Sequence, residues 1–431
     1  MGKRNWFTIL FLCFFSVFAQ ENYELQTFID AAMDYHPSIL QAENQLQASE
    51  NKIGLAKGND YPNVFVDLNY QLIEPKSEIT LPGAVPFSAQ LFPTNNYDFA
   101  LAVNYDLYDF GRNKANIDIA SFENLYAKEN KNLIKQSISF QVINLYYQLC
   151  YLREALKVNK EQQQLLEKTQ KINKMFYEQG EVTDLDLINT DASLSQVLIQ
   201  EESLKKSILV FKTQLLLTTG KEIIEVKKLS TPFIKKPITY RDTSLKNNIE
   251  TRLSKLQSEI SFKELEIAEK TAFPVIMAQA KGGYKNGLLP DIMKLRANYT
   301  VGVGVQIPIF NGNKIQIQKK IAQNNIDASL ASLDAITLKM KGELLESQEN
   351  IKQFFRKIQL SEIKILQTEK AVERAFLQYE NGEITNLDLL RIEVQMANAK
   401  LQKIQYLLNY TLSIYAYKKA LGQTFELLNY E

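Results

Sequence analysis

From Arg112 to Gln179 the chain runs 68 residues without a glycine or a proline. The two residues that most readily break a helix are absent there. A continuous helix of that length reaches about 100 Å at 1.5 Å per residue, too long for the interior of an ordinary domain. A second run, Asn313 to Asn381, is interrupted only by Gly342. Within the first run Ile138, Val142, Leu145, Leu149, Leu152 and Leu156 step by four and three, the spacing of a coiled-coil seam. Gly180 and Gly382 end the runs, and 39 residues free of Gly and Pro follow each. Glycine takes the left-handed conformation that closes a helix. Each long helix is therefore expected to reverse there into an antiparallel hairpin.

The two halves are copies. Tyr177–Leu187 (YEQGEVTDLDL) recurs as Tyr379–Leu389 (YENGEITNLDL), identical at eight of eleven positions with an offset of 202. Gly220 and Gly422 close the copies at the same offset. Upstream, Leu55–Pro62 parallels Ile267–Pro274 at offset 212, and Phe110–Lys114 (FGRNK) parallels Phe310–Lys314 (FNGNK) at offset 200. The fall from 212 to 200 gives the first copy twelve extra residues, near Pro75 to Asn96. Between these markers the apolar period switches to two, the signature of strands. Val64, Val66, Leu68, Tyr70 and Leu72 alternate with Asp67, Asn69 and Gln71, and the pattern continues over Tyr97–Leu107. In the second copy it covers Ile276–Tyr284 and Tyr299–Ile307. Each copy reads helix, strand, strand, long helix, helix. The expected division is a first repeat over 20–220, a linker over 221–248 holding Pro232 and Pro237, a second repeat over 249–422 and a tail over 423–431.

The first nineteen residues read as a signal peptide. Lys3 and Arg4 precede an apolar stretch from Ile9 to Phe18, and Val17-Phe18-Ala19 offers a cleavage site. Phe11 and Leu12 before Cys13 argue against a lipid anchor. Cleavage leaves Cys150 alone, so no intramolecular disulfide forms. The charges, 50 Lys+Arg against 49 Asp+Glu, balance closely, which excludes nucleic acid as the main partner. His36, the one histidine, precedes Pro37 and belongs to a helix boundary rather than to a metal site or a catalytic triad. Gly220-Lys221 lacks the rest of a phosphate loop, and Gly302-x-Gly304 lacks the third glycine and helix of a dinucleotide turn. No catalytic, cofactor-binding or metal-binding residues are expected, and the chain is not expected to be an enzyme.

Four strands of about ten residues match the length that crosses a bilayer at a tilt. Four strands alone leave two bare edges, which hydrocarbon does not tolerate. Closure then requires several chains arranged in a ring.

With its tandem repeat, its Ala-x5-Pro before each first strand, its FGRNK and FNGNK segments and its two glycine tips, the sequence resembles the TolC-like outer-membrane efflux proteins. The resemblance spans essentially the whole mature chain. It implies a mainly α fold with membrane β-structure: long helical hairpins forming a trimeric α-barrel, and four strands per chain contributing to a 12-stranded outer-membrane β-barrel. It implies a passive duct through outer-membrane lipid and periplasm, docked to a periplasmic adaptor (membrane fusion) protein and an inner-membrane pump. The tips carry over as the docking and gating region. Gly180, Thr183, Leu185, Leu187, Gly382, Thr385, Leu387 and Leu389 would face the adaptor, and Asp186 and Asp388 the gate. Asp388 stands where the family places an acidic gate residue. One turn on, where a second acid completes the ring, this chain has Arg391, which can pair with Asp388 three residues away. A duct for type I protein secretion shares this fold. A structural coiled-coil protein of the envelope accounts for the helices but not for the matched strands.

Overall fold

A computed structural model describes residues 25–81, 87–222, 244–423 and 425. The expected signal peptide and most of the inter-repeat linker lie outside the described residues. Helix α1 covers 25–35 and is followed after His36 by α2 (Pro37–Gly58). The Ser38 backbone N–H donates to His36 Nδ1 at 3.3 Å, so the histidine marks the helix boundary. Then come β1 (Asn63–Leu72), β2 (Glu78–Leu81), β3 (Phe87–Gln90), β4 (Asn95–Tyr108), α3 (Arg112–Glu178) and α4 (Asp184–Thr219). The second half supplies α5 (Ile249–Lys270), β5 (Val275–Lys285), β6 (Arg296–Gln306), α6 (Lys314–Glu380) and α7 (Asn386–Ala420). α3 and α6 each hold 67 residues. The additional residues of the first copy form an antiparallel ribbon of their own, β2 with β3, which the alternation pattern does not reveal.

The chain divides into two compact units. One comprises Asn44–Lys128 and Ser254–Leu333 and contains an antiparallel sheet in the order β1-β4-β5-β6. Register puts Val66 opposite Leu101, Leu101 opposite Gly282 and Gly282 opposite Tyr299. The face so defined carries Val64, Leu68, Val103, Val301, Val303 and Val305. It is apolar and it is open: Leu68 is 68% and Val301 77% exposed. Val64, Val66, Tyr299, Val303 and Val305 on the same face are exposed as well. The other face carries Asp67, Asp98, Asn104, Gln279, Lys281 and Thr300, and Lys281 Nζ bridges Asp67 at 2.9 Å and Asp98 at 3.0 Å. In water this arrangement is inside out, since burial of apolar area is what stabilises a sheet there. In hydrocarbon it is the stable one.

Aromatic rings mark both ends of β4. Tyr97 lies 5.3 Å from Tyr70 and 6.1 Å from Phe99, while Tyr108 lies 4.7 Å from Phe110, which stacks on Phe273 at 5.6 Å. From Tyr97 to Tyr108 a strand rises about 36 Å, or about 28 Å when tilted 40° in a barrel, close to the height of a lipid-facing band between aromatic girdles. The FGRNK segment is the strand-to-helix turn: Phe110 (φ 56°) and Gly111 (φ 82°) are left-handed. Asp109 accepts there from the Gly111 N–H at 2.9 Å. In the second copy the left-handed pair falls two residues later than the offset of 200 places it, at Gly312 (φ 66°) and Asn313 (φ 60°).

In the other unit, the residues up to Glu43 with Glu129–Leu253 and Asp334 onward, the described residues are mainly helical. Its main core joins Phe28 and Ala32 of α1, Ile138–Cys150 positions of α3, Leu215 of α4, and Leu408 and Tyr415 of α7. The coiled-coil seam is buried through Leu152 and half-buried at Leu156. Ile143 and Cys150 are buried too, so α3 packs a broader face than a seam because α1 and α7 both cover it. A second core joins Leu344, Ile351 and Ile358 of α6 to Tyr410, Ile414 and Tyr417 of α7.

Two glycines separate the requirements of the sheet. A β-carbon on Gly283 would fall 1.9 Å from Phe99 O, whereas one on Gly304 meets nothing within 4 Å. Gly283→Val is expected to break the β4–β5 pairing and remove folded protein from the membrane fraction. Gly304→Val should be tolerated. Heat-modifiable gel mobility of both variants checks this.

Candidate functional site: the hairpin tips

Both long helices end as the glycines predict. Gly180 (φ 78°) and Gly382 (φ 72°) are left-handed. The Gly180 N–H donates to Tyr177 O at 3.0 Å and the Glu181 N–H to Phe176 O at 2.9 Å. Gly382 and Glu383 do the same to Tyr379 O (3.0 Å) and Gln378 O (2.8 Å). This double bond pattern satisfies the last carbonyls of a helix. No atom lies within 4 Å of a β-carbon at either glycine, so only the backbone conformation demands them.

Three residues later each returning helix begins with threonine. Thr385 accepts from the Asp388 N–H at 3.2 Å, and Asp388 Oδ2 accepts from Thr385 Oγ1 at 2.7 Å and from the Thr385 N–H at 3.4 Å. Asp186 Oδ2 accepts likewise from the Thr183 N–H (3.0 Å) and Oγ1 (2.7 Å). These are reciprocal caps with an acid at the third helical position, where the helix dipole favours negative charge. The Thr385 hydroxyl, then its N–H, and then the charge of Arg391 hold the Asp388 carboxyl below the usual range. Among the described residues no ion pair within 4 Å joins Asp388 to Arg391; Thr385 is the direct partner. The cap needs the charged carboxylate, so it is complete above the ordinary Asp range and lost as pH falls through the depressed value.

The expected docking residues do not share one environment. Leu185 and Leu387 are exposed, at 63% and 57%. Gly180, Thr183, Gly382, Thr385 and Arg391 are exposed as well, and Leu187, Asp186 and Asp388 are half-buried. Leu389 corrects the expectation that it faces a partner. It is 0% exposed, packed with Ile172, Ala375, Phe376 and Tyr379, and it holds the two hairpins together.

The same contact hides a polar cluster. Asn173 of α3 donates to Thr190 Oγ1 (2.7 Å) and Asn386 Oδ1 (3.0 Å) and accepts from the Tyr379 hydroxyl. Asn386 Nδ2 donates to Asp186 O at 2.9 Å, tying the start of α7 to that of α4. Burial first, and then the charge of Asp186, push the Tyr379 hydroxyl up to about 12, so it stays a donor. Lys168 sits 3.8 Å over the Phe376 ring, and Lys400 of α7 bridges Glu161 (3.2 Å) and Glu369 (3.3 Å) on the two long helices. The repeat conceals these residues: where α3 has Thr169 and Asn173, α6 has Ala371 and Ala375 at offset 202. Among the described residues no group of three His, Cys, Asp or Glu side chains could hold a metal. Among the described residues no helix is long and apolar enough to cross a membrane.

Residues 28–221 and 241–423 match the outer membrane efflux protein family. The chain belongs to this family. Its fold is that of solved channels. VceC of Vibrio cholerae is 20% identical (TM-score 0.79, covering 94% of this chain and 97% of that one). The outer-membrane channels OprN (16%, 0.81, 93% and 90%) and CmeC of Campylobacter jejuni (16%, 0.78, 93% and 86%) are similar to it in the same way. No curated protein matches in sequence. Outer membrane efflux proteins are passive channels of tripartite efflux systems and not enzymes.

Two substitutions test the tip of this efflux protein. Thr385→Ala removes a cap worth about 1 kcal/mol, and amide exchange of residues 386–390 should accelerate accordingly. Tyr379→Phe strands the buried Asn173 carbonyl, at a cost of about 1–3 kcal/mol. Exchange should then rise at 170–176 and leave residues 138–150 unaffected.

Proposed function

We propose that three copies of this chain form the outer-membrane exit duct of an efflux system. The observation that carries this reading is the four-stranded sheet with its apolar face exposed and with β1 and β6 each lacking a partner on its outer edge among the described residues. Strand directions alternate along β1-β4-β5-β6, so β6 of one copy meets β1 of the next antiparallel, and three copies give twelve strands. Hydrocarbon allows no bare edge, and a ring is the assembly that leaves none. The sheets would seat in outer-membrane lipid, with the helices forming a tunnel into the periplasm. The amino-terminal segment through about Ala19 would be removed on export.

At the tips, Leu185 and Leu387 would supply apolar contact to a periplasmic adaptor linked to an inner-membrane pump. Gly180, Thr183, Gly382 and Thr385 would shape that surface. Asp186, Asp388 and Arg391 would line the constriction. Energy would come from the pump, because the duct itself has only to present a continuous aqueous path.

The protein molar mass of the detergent-extracted particle, by light scattering with detergent subtracted, should equal three chains. A stable monomer would leave β1 and β6 bare and overturn the barrel. Asp388→Ala should change closed-state conductance and ion preference in planar bilayers, and unchanged values would remove Asp388 from the gate.

A further inference from the structure

One buried ionisable group takes no part in the caps or in the polar cluster. Glu393 lies on α7, eleven residues beyond Gly382, and meets Thr169 of α3, eleven residues before Gly180. It is 0% exposed. Its Oε1 accepts from Thr169 Oγ1 at 2.8 Å, and its Oε2 is buried with no partner. Apolar side chains flank it along α7, Leu389 and Leu390 on one side and Ala397 on the other, all buried.

No neighbouring charge compensates it. On α3, Lys168 is held over the Phe376 ring and Glu161 is paired with Lys400. On α4, Asp191 accepts from Gln170, and the Asp186 carboxylate is taken up by Thr183. On α6, the Tyr379 hydroxyl goes to Asn173 and Glu369 binds Lys400. On α7 itself, Lys400 is committed to those two acids, and Arg391 is exposed and acts on Asp388. A carboxylate in such a place carries the desolvation cost of a charge with one hydrogen bond to offset it. Protonated, the group is neutral and can donate to Thr169 Oγ1, which passes its own hydrogen to Leu165 O at 3.3 Å.

We propose that Glu393 is a proton-operated latch between α3 and α7: neutral, it lets the two hairpins close on each other; ionised, it loosens them. Burial raises its pKa to about 7, against a smaller opposing effect of the Thr169 hydrogen bond, which places the transition near neutrality. The sign follows from the raised value. Below the ordinary Glu range both the packed and the loosened forms are protonated and the latch is fully closed. The packing contribution falls as pH rises from that range and is gone above about 7. This deepens the channel reading and rests on it for its consequence, since these hairpins would carry the constriction.

The test uses the full-length protein in planar bilayers, with pH varied from ~5.5 to ~8.5 on the side of the hairpin tips. Open probability should rise through about pH 7 in the wild type. Glu393→Gln, which keeps an acceptor for Thr169 without a charge, should hold the acidic behaviour throughout. A flat wild-type profile, or an unchanged step in Glu393→Gln, overturns the latch. Amide exchange of 165–176 and 386–397, corrected for its intrinsic pH dependence, reads the latch independently of any current. It should be on the order of tenfold faster at ~pH 8 than at ~pH 6 in the wild type and unchanged in Glu393→Gln. Equal pH responses in the two proteins overturn the latch. A pH-dependent exchange with no conductance would retain the latch and reject the channel.

Discussion

Everything in the sheet-bearing unit answers to one constraint, that a backbone N–H or C=O in hydrocarbon must be hydrogen-bonded by the protein. The strands β4 and β5 are paired on both sides, while β1 and β6 are paired on one. The apolar face, with Val301 and Leu68 largely exposed, is stable only where the solvent is itself apolar. In the proposed assembly these two facts together call for further copies: lipid demands closure, and the described strands of one chain leave two edges. The polar face carries the Asp67–Lys281–Asp98 ion pairs, which suits a surface that turns toward water once a ring is formed.

The helical unit solves a different problem, that of joining two hairpins descended from one pattern without making them interchangeable. Pseudo-equivalent positions are filled differently. Thr169 and Asn173 on α3 are polar where Ala371 and Ala375 on α6 are small and apolar. Asn386 opens α7 buried, where Asp184 opens α4 exposed. The result is a contact with a donor and an acceptor on defined sides. Buried polar groups of this kind are costly when unpaired, so misregistered packing of the hairpins is penalised. Glu393 is a buried acid with one oxygen left unpaired, and that is why it can respond to a proton.

Much of this was legible in the chain. Helix lengths followed from where Gly and Pro stop, so that the run from Arg112 to Gln179 became α3 over Arg112–Glu178. The left-handed reversals followed from Gly180 and Gly382, and four strands from period-two alternation. The β2–β3 ribbon was not legible, because four-residue strands are too short for an alternation to register. Leu389 was misread because position in a repeat says nothing about which of two hairpins covers a residue. Glu393 did leave a trace, an acid on the stripe of Leu389 and Ala397. Its counterpart at offset 202, Asp191, is exposed, and so the repeat pointed away from burial.

The sequence by itself determined the elements, their lengths and the places where they turn, because those depend on propensity and period within one stretch of chain. It also determined that the strands present an apolar face, since alternation fixes which residues share a side. Only the tertiary structure decided which buried positions lie against which. The cluster of Asn173, Thr190, Tyr379 and Asn386, and the meeting of Thr169 with Glu393, each join residues about two hundred positions apart. Burial, and with it the raised pKa of Glu393, comes from the joint packing of α3 and α7, which no local pattern encodes.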